Sequence, residues 1–282
     1  MKGEFQRMHL RKRSGGLREV YRLRRDVAAY YRSLVPELSA LALTLDVYRV
    51  AHGFMPGRSP VTNALAHKGP HEATLCMDLK DFFDSLTYTT PRAPNWYHET
   101  NLKESLMERL LTPLYPECWQ LLQSRPAAQG FPTSPAVANI LMYRFDAALH
   151  EIAHRRGCVY TRYADDIAIS GPLIVVNGME RMVRECCKMY SLQVAEEKTR
   201  LYLSCRGARI ITGVAVYDDR IDVPRHIKRK LRAARHQNHS RVAAGLEEWC
   251  KLKTPNIGKW VLRGMDAGLD PEALIQVSSL SR

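Results

Sequence analysis

The stretch that decides the reading is Val159-Tyr160-Thr161-Arg162-Tyr163-Ala164-Asp165-Asp166-Ile167-Ala168-Ile169-Ser170. Two apolar-rich runs, Val159 to Tyr163 and Ile167 to Ser170, flank Ala164-Asp165-Asp166, which predicts two strands joined by a tight turn. An acidic pair alone says little, since the chain has four: this one, Glu196-Glu197, Asp218-Asp219 and Glu247-Glu248. Asp165 and Asp166 differ in lying between two apolar strands, where solvated acids have no local need to be. Ala73-Thr74-Leu75-Cys76-Met77 is another buried-strand candidate, and it too ends on an acid, Asp78. Carboxylates at the ends of neighbouring strands converge and repel one another unless a cation lies between them. Mg2+ is commonly held by one or two carboxylates plus substrate phosphates, and a two-metal site clamps both oxygens of an in-line phosphoryl transfer. Acids that only cap strands or helices are the plainer reading.

Working outward, Leu17 to Tyr21 alternates like a short strand, behind a basic segment broken at Ser14-Gly15-Gly16. Arg25 to Leu45 has near-helical apolar spacing, interrupted at Pro36. Gly53 to Pro60 reads as loop and Val61 to His67 as a short helix. Asp81-Phe82-Phe83 opens a helical turn, and 87–100 is loop-like. Leu102 to Leu122 is predicted helical, broken near Pro113 and Pro116. Gln129 to Pro135 is a turn-rich loop, with Pro135 suited to the start of one long helix over Ala136 to His154. Val176 to Tyr190 is helix, Leu192 to Val194 and Ile210 to Val216 are strands, and the chain is basic and helical from Pro224. Strands interleaved with helices point to a mixed sheet, α+β or α/β.

The 282 residues are 45% hydrophobic and 25% charged, ordinary globular composition that excludes disordered, collagenous and disulfide-scaffold classes. The net charge of +13 is unevenly placed: +7 over residues 1–32, zero over 33–220, +8 over 221–263 and −2 over 264–282. Two basic ends about a neutral middle suit a polyanion held from two sides, although two solvated helical faces would look the same. No run is long enough to span a membrane, and the basic N-terminus lacks the apolar core of a signal peptide. Seven scattered cysteines without a CxxC give little support to zinc or redox chemistry. These features lead us to expect an intracellular, reduced, soluble protein, with no membrane partner.

Four motifs in order carry a resemblance to reverse transcriptases. Tyr163-Ala164-Asp165-Asp166 resembles the YxDD box, and Met77-Asp78-Leu79-Lys80-Asp81-Phe82-Phe83 the first metal-binding motif. Gln129-Gly130 with Thr133-Ser134-Pro135 resembles QGxxxSP, and Lys198-Thr199 falls at the place of the lysine motif. Asn63-Ala64-Leu65-Ala66-His67 and Ile211-Thr212-Gly213 narrow the resemblance to the bacterial retron type, through its NAxxH and VTG signatures.

The resemblance implies an α+β right-hand polymerase with fingers, an antiparallel palm sheet and a helical thumb. It places the N-terminal part of the fingers at 1–60 and the palm with the first metal motif at 61–90. A fingers/palm insertion follows at 91–128, the rest of the palm at 129–216, and a basic thumb at 217–282. It implies Asp78, Asp165 and Asp166 as metal ligands, with the Leu79 carbonyl, for two Mg2+ ions, Mn2+ being an alternative. Asp81 and Phe82 would offer backbone N–H groups to the triphosphate of a dNTP, and Phe83 would be the ring that excludes a ribose 2′-OH. Of Phe82 and Phe83, one packs and the other gates. Arg18, Gln129 and Gly130 would border the nucleotide, and Lys198 would neutralise or protonate the leaving pyrophosphate, unless it is simply an exposed lysine. Arg229, Lys230, Arg232 and Arg235 would grip RNA.

Asn63 and His67 have two readings: buried structural residues, or a retron-specific part in holding RNA or the priming site. Cys76 and Cys158 read as small core residues; Trp249 and Trp260 either pack a helical domain or stack on bases. The implied activity is reverse transcription of a structured noncoding RNA. It would be primed from a guanosine 2′-OH and leave branched RNA–DNA (msDNA), with an effector protein as a partner in anti-phage defence. A group II intron-like or other defence-type reverse transcriptase, and a nucleic-acid-binding scaffold on a degenerate polymerase fold, are the rival readings.

Overall fold

The computed structural model describes residues 3–12, 15–45, 50–87 and 114–253. A hairpin of β1 (Phe5–Arg11) and β2 (Leu17–Leu23) opens the chain, followed by helices α1 (Arg25–Ser33), α2 (Val35–Thr44) and α3 (Pro60–Ala66). Next come β3 (Ala73–Asp78), the short α4 (Phe82–Ser85), α5 (Pro116–Ser124), α6 (Ser134–Leu141) and α7 (Tyr143–Arg155). After these the chain forms β4 (Val159–Tyr163), β5 (Asp166–Gly171) and α8 (Leu173–Met189). A 3-10 turn (Glu196–Lys198) leads into β6 (Arg200–Leu203), β7 (Arg209–Ile211), β8 (Val214–Val216) and β9 (Ile221–Asp222). The described chain ends with α9 (Arg225–His236) and α10 (Ser240–Cys250). None of its helices is long and apolar enough to cross a membrane.

The centre is a four-stranded antiparallel sheet in the order β4-β5-β3-β6. Alternation along its strands sorts side chains onto two faces. Leu75, Met77, Ile167, Ile169 and Tyr160 point into the main core, where α7 and α8 cover them. Thr74, Cys76 and Asp78 on β3 stand opposite Ser170, Ala168 and Asp166 on β5, on the face covered by α3 and the β7–β8 hairpin. Because β3 and β5 run antiparallel, the C-terminal end of one lies beside the N-terminal start of the other. Asp78 and Asp166 are therefore directly paired. A slip of one residue would bury both acids in the apolar core, so the register is strongly specified.

The β4–β5 turn is held by a buried ion pair. Arg162 and Asp146 have 0% and 1% exposed side chains, and the guanidinium Nη2 lies 2.6 Å from Asp146 Oδ2. The same guanidinium donates to Asn139 Oδ1 and, through Nη1, to the Ala164 carbonyl, both at 3.0 Å. Tyr160 donates to the other Asp146 oxygen at 2.7 Å. From outside, His52 N–H donates to the Arg162 carbonyl at 2.7 Å and Arg162 N–H to Val50 O at 2.9 Å. Gly53 packs so closely on the turn that a Cβ there would lie 2.3 Å from the Ala164 nitrogen.

Several expectations need correction. Ala136 to His154 is two helices that meet at Met142, with no Gly or Pro at the break; Asn139 before it and Asp146 after it bond the same guanidinium. Leu192 to Val194 is not a strand: the run lies beside the chain leaving β3, with a single bridge from Val194 to Leu79, and β6 begins only at Arg200. Ile210 to Val216 is a hairpin turning at Thr212-Gly213. The break near Pro36 falls at Leu34, with Pro36 in the first turn of α2, and the expected break near Pro116 is the start of α5. β1 went unread, since its sequence alternates poorly and most of it is exposed. Residues 88–100, the helix expected from Leu102 as far as Pro113, and Trp260 lie outside the described residues.

The ion pair sets a stability test. Asp146→Ala leaves a buried guanidinium without its counter-charge, which costs about 3–5 kcal/mol. Urea unfolding should show that loss, whereas Asp146→Ala at full stability would show that the pair is not structural.

Candidate active site

Asp78 and Asp166 face each other at the open end of β3 and β5, with Asp165 in the turn above them. Leu79 N–H donates to the Asp165 carbonyl at 2.9 Å, tying the turn to the end of β3. Ala164 bends the chain through the left-handed region at φ 57. On the other side, Ala195 N–H donates to the Asp78 carbonyl at 2.8 Å, bringing the 3-10 turn alongside. Lys198 Nζ on that turn reaches Asp78 Oδ1 at 2.7 Å.

The electrostatics describe one negative cluster. Burial, then the charges of Asp165 and Asp78, push Asp166 up to about 7. Burial, then Asp78, raises Asp165 as well. Burial pulls the Lys198 ammonium down, but the hydrogen bond and charge of Asp78, helped by Asp165 and Asp166, carry it above its ordinary value. Among the described residues no three metal-binding side chains form a ready-made cluster, and Lys198 already engages Asp78. The donor set nevertheless fits a hard divalent cation: three carboxylates near enough to act on one another's charge, two of them driven towards protonation by burial first and mutual repulsion second.

The β1–β2 hairpin leans over this end of the sheet. Lys12 Nζ lies 2.5 Å from Asp81 Oδ1, a contact absent from the sequence reading, and this bond holds the Asp81 carboxyl below its usual range. The Arg18 charge also acts on Asp81 and Asp165, so the hairpin brings it towards the site. Tyr21 N–H donates to the Gln129 carbonyl at 2.8 Å, while the Gln129 side chain donates to Asp84 at 3.1 Å. Gly130, at φ 106, lets β2 approach: a Cβ would sit 2.1 Å from Tyr21 O. Phe82 is buried, with the Arg162 guanidinium 5.8 Å from its ring centroid. Phe83 is half-buried against Phe54, so of the two rings it is the one left facing outward.

Asn63 and His67 are not placed to touch RNA. His67 is 0% exposed, with Nδ1 2.8 Å from Ser170 Oγ and Nε2 2.7 Å from Thr161 Oγ1; Ser170 continues to Thr74 at 2.7 Å. A neutral imidazole donates through one nitrogen and accepts through the other, so it clamps α3 to β4 and β5. Asn63 is buried at 1% and faces Thr212. Arg229, Lys230, Arg232 and Arg235 are all exposed on α9, and Arg235 also bonds Glu247 at 2.8 Å and braces α9 against α10. Trp249 packs on the β7–β8 cluster. Arg162 and Asp146 were the supporting residues missed; a charged residue inside an apolar strand was the available signal.

An antiparallel sheet with acids gathered at the end of its two middle strands defines the palm of a right-hand polymerase fold. The solved structure of Candida albicans telomerase with a fragment of telomeric RNA shares that fold, at TM-score 0.56 and 12% identity over 78% of this chain and 46% of that one. Residues 10–241 match the family described as reverse transcriptase (RNA-dependent DNA polymerase), and the chain belongs to that family. It is 36% identical over 239 residues to the retron Mx65 reverse transcriptase of Myxococcus xanthus, covering 80% of this chain and 54% of that protein. The retron Mx162 reverse transcriptase of the same organism is 33% identical over 255 residues, at 80% and 50% coverage. The retron Ec73 reverse transcriptase of Escherichia coli is 26% identical over 238 residues, at 78% and 72%. The chain thus spans about half the length of its Myxococcus relatives. The retron type expected from Asn63 to His67 and Ile211 to Gly213 agrees with these relatives.

The clamp gives a pH test. Burial lowers His67 from 6.5 to about 3, so between those values the unfolded chain binds a proton that the folded chain does not. Stability should fall as pH drops below 6.5, with up to ~1.4 kcal/mol per pH unit from this group. His67→Gln should flatten that decline in urea midpoints measured between pH 6.5 and 4. An unchanged slope would mean that His67 is not buried and neutral.

Proposed function

We propose that this chain is the RNA-directed DNA polymerase of a bacterial retron, copying a structured noncoding RNA with dNTPs. The observation that carries this reading is the register pair Asp78 and Asp166, with Asp165 on the turn between β4 and β5. On this reading residues 1–60 begin the fingers, 61–90 and 129–216 are palm, 91–128 an insertion and 217–282 the thumb. Two Mg2+ ions held by Asp78, Asp165, Asp166 and the Leu79 carbonyl would supply Lewis-acid stabilisation of the phosphoryl oxygens. Asp78 and Asp165 would hold the ions by carboxylate oxygens, and Lys198 would then give up its place on Asp78 Oδ1. An ordinary lysine is an ammonium at neutral pH, so Lys198 would be free to neutralise or protonate the departing pyrophosphate beside the site.

The triphosphate lies towards Arg18 and the backbone N–H groups of Asp81 and Phe82, with Gln129 and Gly130 at its border. Phe83 stands under the sugar and excludes a 2′-OH. Arg229, Lys230 and Arg232 on α9 meet the phosphates of the template–primer duplex. The reading extends to what the sequence resemblance implies: priming from a guanosine 2′-OH, branched msDNA, an effector protein and anti-phage defence in the cytoplasm.

Asp165→Asn removes a ligand charge and leaves the basic helix untouched. Primer extension on an RNA template with Mg2+ should vanish while RNA affinity holds; extension at the unsubstituted rate would refute the assignment. Phe83→Val should raise rNTP incorporation relative to dNTP, measured as a ratio of kcat/KM values. If Phe82→Val moves that ratio and Phe83→Val does not, the gate is the other ring.

A further inference from the structure

The sheet face that carries Asp78 and Asp166 also carries α3, which His67 clamps to β4 and β5. The β7–β8 turn rests on that helix and has an unusual backbone. Thr212 has φ 45 and Gly213 φ 80. Positive φ at both loop residues is the pattern of a type I′ hairpin turn, which favours Asn-Gly or Asp-Gly. A β-branched residue there is a genuine outlier, and outliers persist where their surroundings over-determine them. Here the side chain is what is held. Thr212 Oγ1 donates to the Pro60 carbonyl in the first turn of α3 at 3.0 Å and accepts from Asn63 Nδ2 at 3.4 Å.

The next residue provides a seat. A Cβ at Gly213 would lie 3.5 Å from Trp249 Cζ2, so the bare backbone is in close reach of the indole. Trp249 and Leu252 pack on a small cluster that includes Val61, Ile211 and Val214, separate from the main core. Trp249 belongs to α10, and α10 is tied to the basic helix α9 by Arg235 and Glu247. One line of contacts therefore runs from the aspartate strands through His67 to α3, through Thr212 to the turn, and through Trp249 to the basic helices.

We propose that Thr212 and Trp249 are positioning residues, the pin and the seat of a joint that registers α9 and α10 against the Asp78 and Asp166 end of the sheet. A duplex bound by α9 then meets the carboxylates at a set distance. The duplex rests on the polymerase reading above; the joint itself is a relation between two parts of this chain. It acts on geometry and not on grip, because the phosphate-facing charges of α9 remain when the joint is loosened. It also gives Asn63 and His67 work that their burial allows.

The test uses the full chain. Thr212→Gly removes the hydroxyl and keeps a residue that tolerates positive φ, so the turn survives. Trp249→Ala empties the seat and Trp249→Phe refills it with a ring. Spin labels at the exposed Cys205 and at Gln237→Cys, in a Cys250→Ser background, report the distance between the sheet side and the end of α9. The distance distribution should broaden with Thr212→Gly and Trp249→Ala and narrow again with Trp249→Phe. Incorporation of dNTP per bound RNA–DNA duplex should fall roughly 10- to 100-fold in the first two, since ångström-scale misplacement suffices for that. Duplex affinity and its salt dependence should hold. Distances unmoved by both substitutions, or incorporation falling only in step with affinity, would overturn the joint. An unsubstituted protein that incorporates no dNTP would overturn the polymerase reading instead, while the distances still decide the joint.

Discussion

The Arg162 to Asp146 ion pair is the constraint on which the rest of the site depends. Both side chains are out of water, and desolvating two charges is expensive enough that apolar residues of similar volume often serve stability as well. What an apolar substitute lacks is a donor for the Ala164 carbonyl. The guanidinium joins α6, α7 and the β4–β5 turn at one point, through Asn139, Asp146 and Ala164. The Ala164 backbone sits in the left-handed region, which a non-glycine residue adopts only when its surroundings insist. With Gly53 against the outer side of the turn and Leu79 bonded to the Asp165 carbonyl, the turn has little freedom left.

The sheet converts that fixed turn into chemistry. Period-two alternation places Asp78 and Asp166 on one face and the apolar residues of the same strands on the other, so a single register both fills the core and gathers the acids. Burial first, and then repulsion among the carboxylates, pushes Asp166 towards neutrality, and their charge draws Lys198 in. Lys12 pairs in the same way with Asp81. The site is thus a set of negative charges held by cations of the chain itself, and a divalent ion with a triphosphate would exchange with those contacts.

Much of this was legible from residue order. The apolar runs around Ala164-Asp165-Asp166 and before Asp78 are strands of the central sheet. What stayed hidden depends on tertiary partners. The Met142 break carries no helix-breaking residue, and β1 is specified by its pairing with β2 more than by its own alternation. Lys12 is one cation among ten Lys and Arg in the first 32 residues until the hairpin folds over. His67 and Asn63 looked equally suited to RNA and to the interior, and only their burial separates the two readings. Arg162 looked like a polar residue in a strand; its counter-charge lies 16 positions away on a helix.

The central claim is that a turn held by Arg162 presents Asp165 beside Asp78 as a divalent-cation site. Anomalous diffraction from crystals grown with Mn2+, an RNA–DNA primer–template and an unreactive dNTP analogue tests it directly. The account predicts manganese bound by carboxylate oxygens of Asp78 and Asp165, with Lys198 moved off Asp78 and Arg162 still bonded to the Ala164 carbonyl. Manganese bound elsewhere, with the Lys198 to Asp78 contact intact beside a seated nucleotide, would contradict it.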